Sequence, residues 1–311
     1  MNKDHPLRGI ALMIAFCALA PLLDTASKLA TTTIPVGQIT TARFVVQGAL
    51  MAPIVLAMGL TWRVSYRLAA LITFRAILLI LSTYSFVAAV VVMPIADALA
   101  IVFVEPFVLL IFGHLIFGDQ VGPRRIIASF VGFFGALLVI QPSLSAFGSV
   151  ALYPLATAFL FAGYMLVTRA ISSHMHPVTQ QLHTSIAGSV ICLAVMIWAD
   201  GTGMYTLDPV MPLGWAWVWL FGVGFWAAAS HMCMTLALKF APATTLAPIH
   251  YLEIVSAVGL GYFVFGDFPN RMTWVGIVVI VASGLYIIQR ERLTAGLTHA
   301  APARLALPPE I

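Results

Sequence analysis

The chain has 311 residues, of which 61% are hydrophobic and only 8% charged, with a formal net charge of +4 and a mean hydropathy of +1.03. A soluble domain carries about 25% charged residues, so this composition excludes a soluble globular protein and defines a polytopic membrane protein. The positive balance does not imply nucleic acid, because the basic residues fall mostly in loops on one side.

A helix needs about 20 residues to cross the hydrocarbon layer. Ten segments qualify, at 8–31, 36–59, 68–92, 94–117, 122–141, 148–171, 178–199, 212–239, 242–265 and 270–289. Met1 to Arg8 is short and polar, and the first apolar run is too long for a cleaved leader, so it reads as a signal-anchor helix. Pro35, Pro94, Pro177 and Pro242 separate closely spaced runs. Proline suits a helix start, where its missing N–H would have no partner anyway. Residues 290–311 read as a disordered, Ala/Pro-rich cytoplasmic tail.

Lys and Arg placement predicts both termini inside. In that orientation Lys3, Arg8, Arg63, Arg67, Arg124, Arg125, Arg169, Lys239, Arg290, Arg292 and Arg304 lie on the cytoplasmic side, with Arg271 alone among the external loops. The external loop from about Ala199 to Pro212 is acidic, with Asp200 and Asp208.

Glu105 and Glu253 lie in the middle of apolar runs and stand 148 residues apart. The same offset pairs Pro94 with Pro242, Ile101 with Ile249, Gly113 with Gly261, and Phe117-Gly118-Asp119 with Phe265-Gly266-Asp267. Farther on it pairs Gln141 with Gln289. The architecture this implies is an all-α membrane protein of ten transmembrane helices in two five-helix repeats, at 8–141 and 148–289. An odd number of spans per repeat inverts the second repeat, an arrangement associated with alternating-access transporters that bind substrate near the midplane.

An ionisable residue at membrane depth is costly and marks function. Glu105 and Glu253 have no base at their own depth in this reading, so they are candidates for proton or substrate contact. His250 shares a helix face with Glu253 at i, i+3, and His231 lies at similar depth. Both are candidates to switch charge near neutral pH or to face a water-filled cavity. Asp24 and Lys28 stand at i, i+4, acid first. Asp24 and Arg43 both lie roughly 10 Å below the outer surface, and Asp97 matches Lys28 in depth. These four form an expected outer polar cluster, either a gate or a charge-balanced network holding helices together. Arg75 reads as snorkelling from the cytoplasmic surface, and His114 and His183 as interfacial. Trp215, Trp217 and Trp219 read as an interfacial belt. The deeper Phe225 and Trp226 are candidates to stack on a flat substrate, and the deep Tyr84, whose hydroxyl needs a partner, is read as facing a polar cavity at the substrate site.

Cys17, Cys192 and Cys233 lack metal-ligand spacing, and no metalloprotease, P-loop or glycine-rich nucleotide motif occurs. No metal, cofactor or enzymatic activity is therefore expected, and no ATPase subunit is required.

The chain resembles the EamA type of the drug/metabolite transporter superfamily over nearly its whole length. The resemblance is carried by Asp24-x-x-x-Lys28, Pro35, Arg43, Pro94 to Ala98, Glu105-Pro106, Phe117-Gly118-Asp119, Gly132 to Leu137, Pro242-Ala243 and Phe265-Gly266-Asp267. Many members have Gly-Glu where this chain has Gly118-Asp119 and Gly266-Asp267, and Ser185 stands at the second-repeat counterpart of Arg43. The resemblance implies a bacterial inner-membrane carrier of a small organic solute. The Asp-x-x-x-Lys form looks most like the branch of riboflavin and S-adenosylmethionine transporters. Riboflavin uptake is the leading expectation, with S-adenosylmethionine transport or amino-acid and metabolite efflux as alternatives, and an intramembrane enzyme a remote one.

Overall fold

The computed structural model describes residues 6–93, 95–119, 121–140, 148–266 and 271–300, excluding the side chains of 96, 97, 100, 139, 140, 265 and 291–300. The regular structure of these residues is all helical, with no strand among them. In chain order the helices are α1 (Pro6–Ala30), α2 (Val36–Ala57), α3 (Tyr66–Val92), α4 (Ile95–Val102), α5 (Glu105–Phe117), α6 (Pro123–Ile140), α7 (Leu152–Ile171), α8 (Pro177–Ala199), α9 (Ala216–Phe240), α10 (Ala243–His250), α11 (Glu253–Leu260) and α12 (Arg271–Ala300). Hydrocarbon offers the backbone no hydrogen-bond partners, so a lipid-exposed spanning segment must satisfy its own amides as a helix. Eight helical stretches among the described residues are long and apolar enough to cross a membrane.

The helix starts follow local chemistry. Pro35 and Pro242 immediately precede α2 and α10, and Pro177 opens α8. Ser65 caps α3 by accepting from the Leu68 N–H at 3.3 Å. Pro94 lies outside the described residues. So do Gln141 and Asp267, two members of the sequence-level repeat.

Two of the expected continuous spans are broken. The run 94–117 divides into α4 and α5 at Phe103-Val104, and the run 242–265 divides at Tyr251-Leu252. Each break is a tight turn: Val104 N–H bonds to the Ile101 carbonyl at 3.2 Å, and Leu252 N–H to the Ile249 carbonyl at 3.0 Å. Pro106, in the first turn of α5, has no N–H to continue the ladder. Carbonyls left over at a helix end need other donors. Tyr251 supplies its hydroxyl to the Phe103 carbonyl at 3.2 Å, and the Cys17 thiol lies 3.6 Å from the Ile249 carbonyl. The breaks set Glu105 and Glu253 at equivalent points, each the first residue of a half-helix. The interrupted segments end alike, on Gly118 at φ +67° and Gly266 at φ +76°, left-handed values that glycine adopts without a Cβ penalty.

The closest packings pair α1 with α9, α3 with α7, α2 with α8 and α6 with α12. Exchanging α1, α2, α3 and α6 for α7, α8, α9 and α12 leaves that set of pairings unchanged. Close approach of α2 and α8 depends on Gly188, which lies against the Phe44 ring with no room for a Cβ.

The tail differs from expectation at its start. The last helix runs on to Ala300, ten residues past Arg290, and residues 301–311 lie outside the described set.

Candidate functional site

The helix breaks bring both central acids to one imidazole. His250 ends α10, and its Nδ1 lies 2.6 Å from Glu105 Oε2 while its Nε2 lies 2.8 Å from Glu253 Oε2. All three side chains are buried, Glu105 completely so. The expectation that the acids lack a base at their own depth is therefore corrected. It failed because the packing of α5 against α10, which brings His250 to Glu105, is not encoded in residue spacing. Each carboxylate also begins a half-helix, where the helix dipole favours negative charge. Ionised carboxylates only accept hydrogen bonds. With both acids ionised, the ring must hold a proton on each nitrogen. The triad then carries one net negative charge, and one further proton neutralises it.

A second network lies across two aromatic rings from the first. Arg43 of α2 donates to Thr83 of α3 and, at 2.5 Å, to His231 Nε2 of α9. A guanidinium can only donate, so Nε2 accepts and the ring proton sits on Nδ1, 3.0 Å from the Tyr164 hydroxyl. That hydroxyl also accepts from Arg75 at 2.8 Å. Arg75 further donates to Thr168 at 2.7 Å, to Thr184, and to Gln181 at 3.3 Å. Its guanidinium carbon stands 4.4 Å from the Tyr164 ring centroid, a cation–π contact. Arg75 is fully buried, so its expected snorkelling is corrected: five polar partners on α7, α8 and α9 hold it inside. Phe16 and Phe161 separate the two networks. The Phe16 ring lies 5.4 Å from His250 and 6.0 Å from His231, and Phe161 lies 6.1 and 5.8 Å from them.

These rings wall a central cavity with about 650 Å³ of free space, including its mouth. Phe86 and Phe103 add apolar surface. Glu253 and His250 line one region, while Asp24, Ser27, Arg43 and Thr83 line another toward the C-terminal end of α1. Glu105 stands behind the lining. A mostly apolar concavity with a few convergent polar groups is the usual form of a small-molecule site.

The other expected residues are distributed as follows. Lys28 is half-buried in the last turn of α1 and outside the cavity lining. Asp97 falls within α4, but its side chain lies outside the described residues. Asp24 and Arg43 line one cavity, and among the described residues no ion pair joins them. Tyr84 lines a different cavity, together with Tyr153 and Tyr205. Trp226 packs edge-on to Phe225 at 5.0 Å and lines neither. The cavity aromatics are instead Phe16, Phe86, Phe103 and Phe161, which carry no polar atom to mark them in sequence. Trp215 and Trp217 are exposed, as a belt requires.

On the opposite side from the α1 C-terminal end, Arg169 of α7 clasps Asp119 with two bonds of 2.5 and 2.7 Å. Arg169 also covers the Phe117 ring at 4.4 Å, and Thr244 of α10 donates to Asp119 at 3.3 Å. The clasp links the α5–α6 turn to α7 and α10.

A cavity of this kind, enclosed by membrane-crossing helices, defines a membrane transporter. The chain belongs to the EamA-like transporter family, whose model matches residues 7–141 and 148–289 separately. It is similar to a riboflavin transporter of Rhizobium johnstonii, with 28% identity over 70% of this chain and 69% of that one. It is also similar to an S-adenosylmethionine uptake transporter of Rickettsia prowazekii, at 23% identity over 94% of this chain and 96% of that protein. A crystal structure with 17% identity, covering 88% of this chain and 94% of its own, superposes with a TM-score of 0.72 and shares the fold. The family and these relatives are transporters rather than enzymes.

Proposed function

We propose that this protein is a proton-linked secondary transporter of the bacterial inner membrane that takes up a flat heteroaromatic metabolite, with riboflavin as the leading substrate. Ten spans form two inverted five-helix repeats, 8–141 and 148–289, with both termini inside, and these alternate around the central cavity. The observation that carries the reading is the Glu105–His250–Glu253 triad. It joins the broken helix of each repeat through one imidazole and borders an aromatic-walled cavity through Glu253 and His250. Uptake or loss of one proton changes the charge of the triad and the bonds between the two half-helices. That supplies the differential interaction a coupled conformational change requires. The riboflavin reading is supported by the rings of Phe16, Phe86, Phe103 and Phe161, which offer faces to a planar ring system, and by similarity to proteins named riboflavin transporters.

The deciding measurement is uptake of labelled riboflavin into cells expressing the chain, with and without a proton gradient. Uptake above the empty-vector control that collapses with the gradient is expected. Absence of uptake removes riboflavin as substrate, and uptake indifferent to the gradient removes proton linkage.

A further inference from the structure

The central cavity is lined by an acid and a base that no ion pair joins among the described residues. Arg43 is 4% exposed, and the two terminal nitrogens of its guanidinium are committed to Thr83 and His231. Its Nε is buried with no hydrogen-bond partner. Asp24 is half-buried and lines the same cavity, and among the described residues no hydrogen bond or ion pair reaches its carboxylate. A buried N–H left without an acceptor is costly, and a ligand carbonyl that reaches Arg43 Nε relieves that cost.

The form of the free groups restricts that ligand. A carboxylate or phosphate is best held by the paired nitrogens of the guanidinium fork, and here that fork is occupied. Each terminal nitrogen has given one N–H to a protein partner, and the Nε N–H is the donor left without one, which suits a single carbonyl oxygen. Asp24 provides an acceptor, which suits a single N–H. As a pair, Asp24 and Arg43 add no net charge, so recognition by these two groups requires none on the ligand. The aromatic walls require the body of the ligand to be flat.

We propose that Asp24 and Arg43 form a specificity site for a neutral planar heterocycle bearing adjacent N–H and C=O groups, as in a lactam or imide edge. The heterocycle N–H donates to Asp24, and its neighbouring carbonyl accepts from Arg43 Nε. This rests on the uptake reading above and sharpens it, since the isoalloxazine ring of riboflavin carries such an edge at N3. It assigns Asp24 and Arg43 to substrate recognition and leaves the triad to the proton.

The test is a binding titration of the purified full-length protein in lipid nanodiscs, using riboflavin, lumichrome and lumazine, each beside its N3-methyl counterpart. Methylation removes the N–H and is expected to weaken binding by roughly tenfold or more, the loss of one charge-assisted hydrogen bond. Asp24→Leu is expected to weaken the parent compounds to the level of the methylated ones and to abolish the difference between them. Arg43→Lys, which moves the donor, is expected to weaken parent and methylated compounds alike. Riboflavin that binds with equal affinity before and after N3-methylation overturns the proposal while leaving riboflavin transport standing. Lumazine that discriminates while riboflavin does not bind retains the recognition site and removes riboflavin. If no member of the panel binds, both fall.

Discussion

Glu105 and Glu253, 148 residues apart, hold opposite nitrogens of the same ring: His250 Nδ1 lies 2.6 Å from the first and Nε2 2.8 Å from the second. Neither acid can change its proton without altering the bond the other makes. Their surroundings differ. Glu253 borders the cavity, whereas Glu105 is fully enclosed and keeps one buried oxygen, Oε1, without a hydrogen-bond partner.

That asymmetry predicts separable effects of the two conservative substitutions. Glu253→Gln should leave substrate binding in place and make uptake independent of the proton gradient, measured in membrane vesicles over a range of external pH. Glu105→Gln leaves the enclosed end of the imidazole facing a neutral amide, so it should lower the melting temperature of the purified protein more than Glu253→Gln does. Removing one member of a buried charge pair costs about 3–5 kcal/mol. Equal gradient dependence in Glu253→Gln and the parent would count against the assigned role.

Arg75 gives a prediction about stability. It is enclosed by Thr168, Thr184, Tyr164, Gln181 and Thr235. A leucine of similar volume would leave several buried acceptors without donors, at about 1–3 kcal/mol for each that water cannot reach. Lysine restores the charge but not the planar fork. Melting temperature should therefore fall in the order parent, Arg75→Lys, Arg75→Leu. A leucine variant as stable as the parent would show that the network is dispensable.

The α2–α8 contact is a packing prediction. Gly188 lies against the Phe44 ring, and an added Cβ would overlap it. Gly188→Val should reduce folded yield, and pairing it with Phe44→Ala should recover part of the loss, because the second change opens the space the first requires. Size-exclusion profiles of the three variants provide the readout. No recovery in the pair would place the damage elsewhere.

Adjacency along one helix was legible in the sequence, and facing between helices was not. The i, i+3 spacing linked His250 to Glu253. The contact between Glu105 and His250 depends on how α5 packs against α10, which no spacing encodes. Tyr84 and Trp226 turn away from the central cavity. Rotation of a helix about its axis is set by its neighbours. Arg75 was misread because nearness to a helix end also suits snorkelling. The polar stripe of Gln180, Gln181, Thr184 and Ser185 on α8 was the available signal that a buried donor needed partners. The helix breaks gave only indirect warning, through Pro106 and Pro248.

The Asp119–Arg169 clasp yields the last prediction. It ties the α5–α6 turn to α7 and, through Thr244, to α10. In the alternating-access cycle proposed above, one side is closed while the other is open. Its bidentate geometry and the Phe117 ring over the guanidinium make it stronger than a surface pair. A conformation open on the clasp side must break it, so weakening it should raise the population of that conformation. Asp119→Asn removes the charge and keeps the shape. In a background with Cys17, Cys192 and Cys233 replaced by alanine, Gln180→Cys reports on access from the clasp side. A membrane-impermeant thiol reagent applied to inside-out vesicles should label Gln180→Cys faster once Asp119→Asn is added, and saturating substrate should change that rate. Identical labelling with and without Asp119→Asn would mean that the clasp does not restrain the opening. A cysteine equally reactive from both faces of the membrane would mean that no side is closed at all.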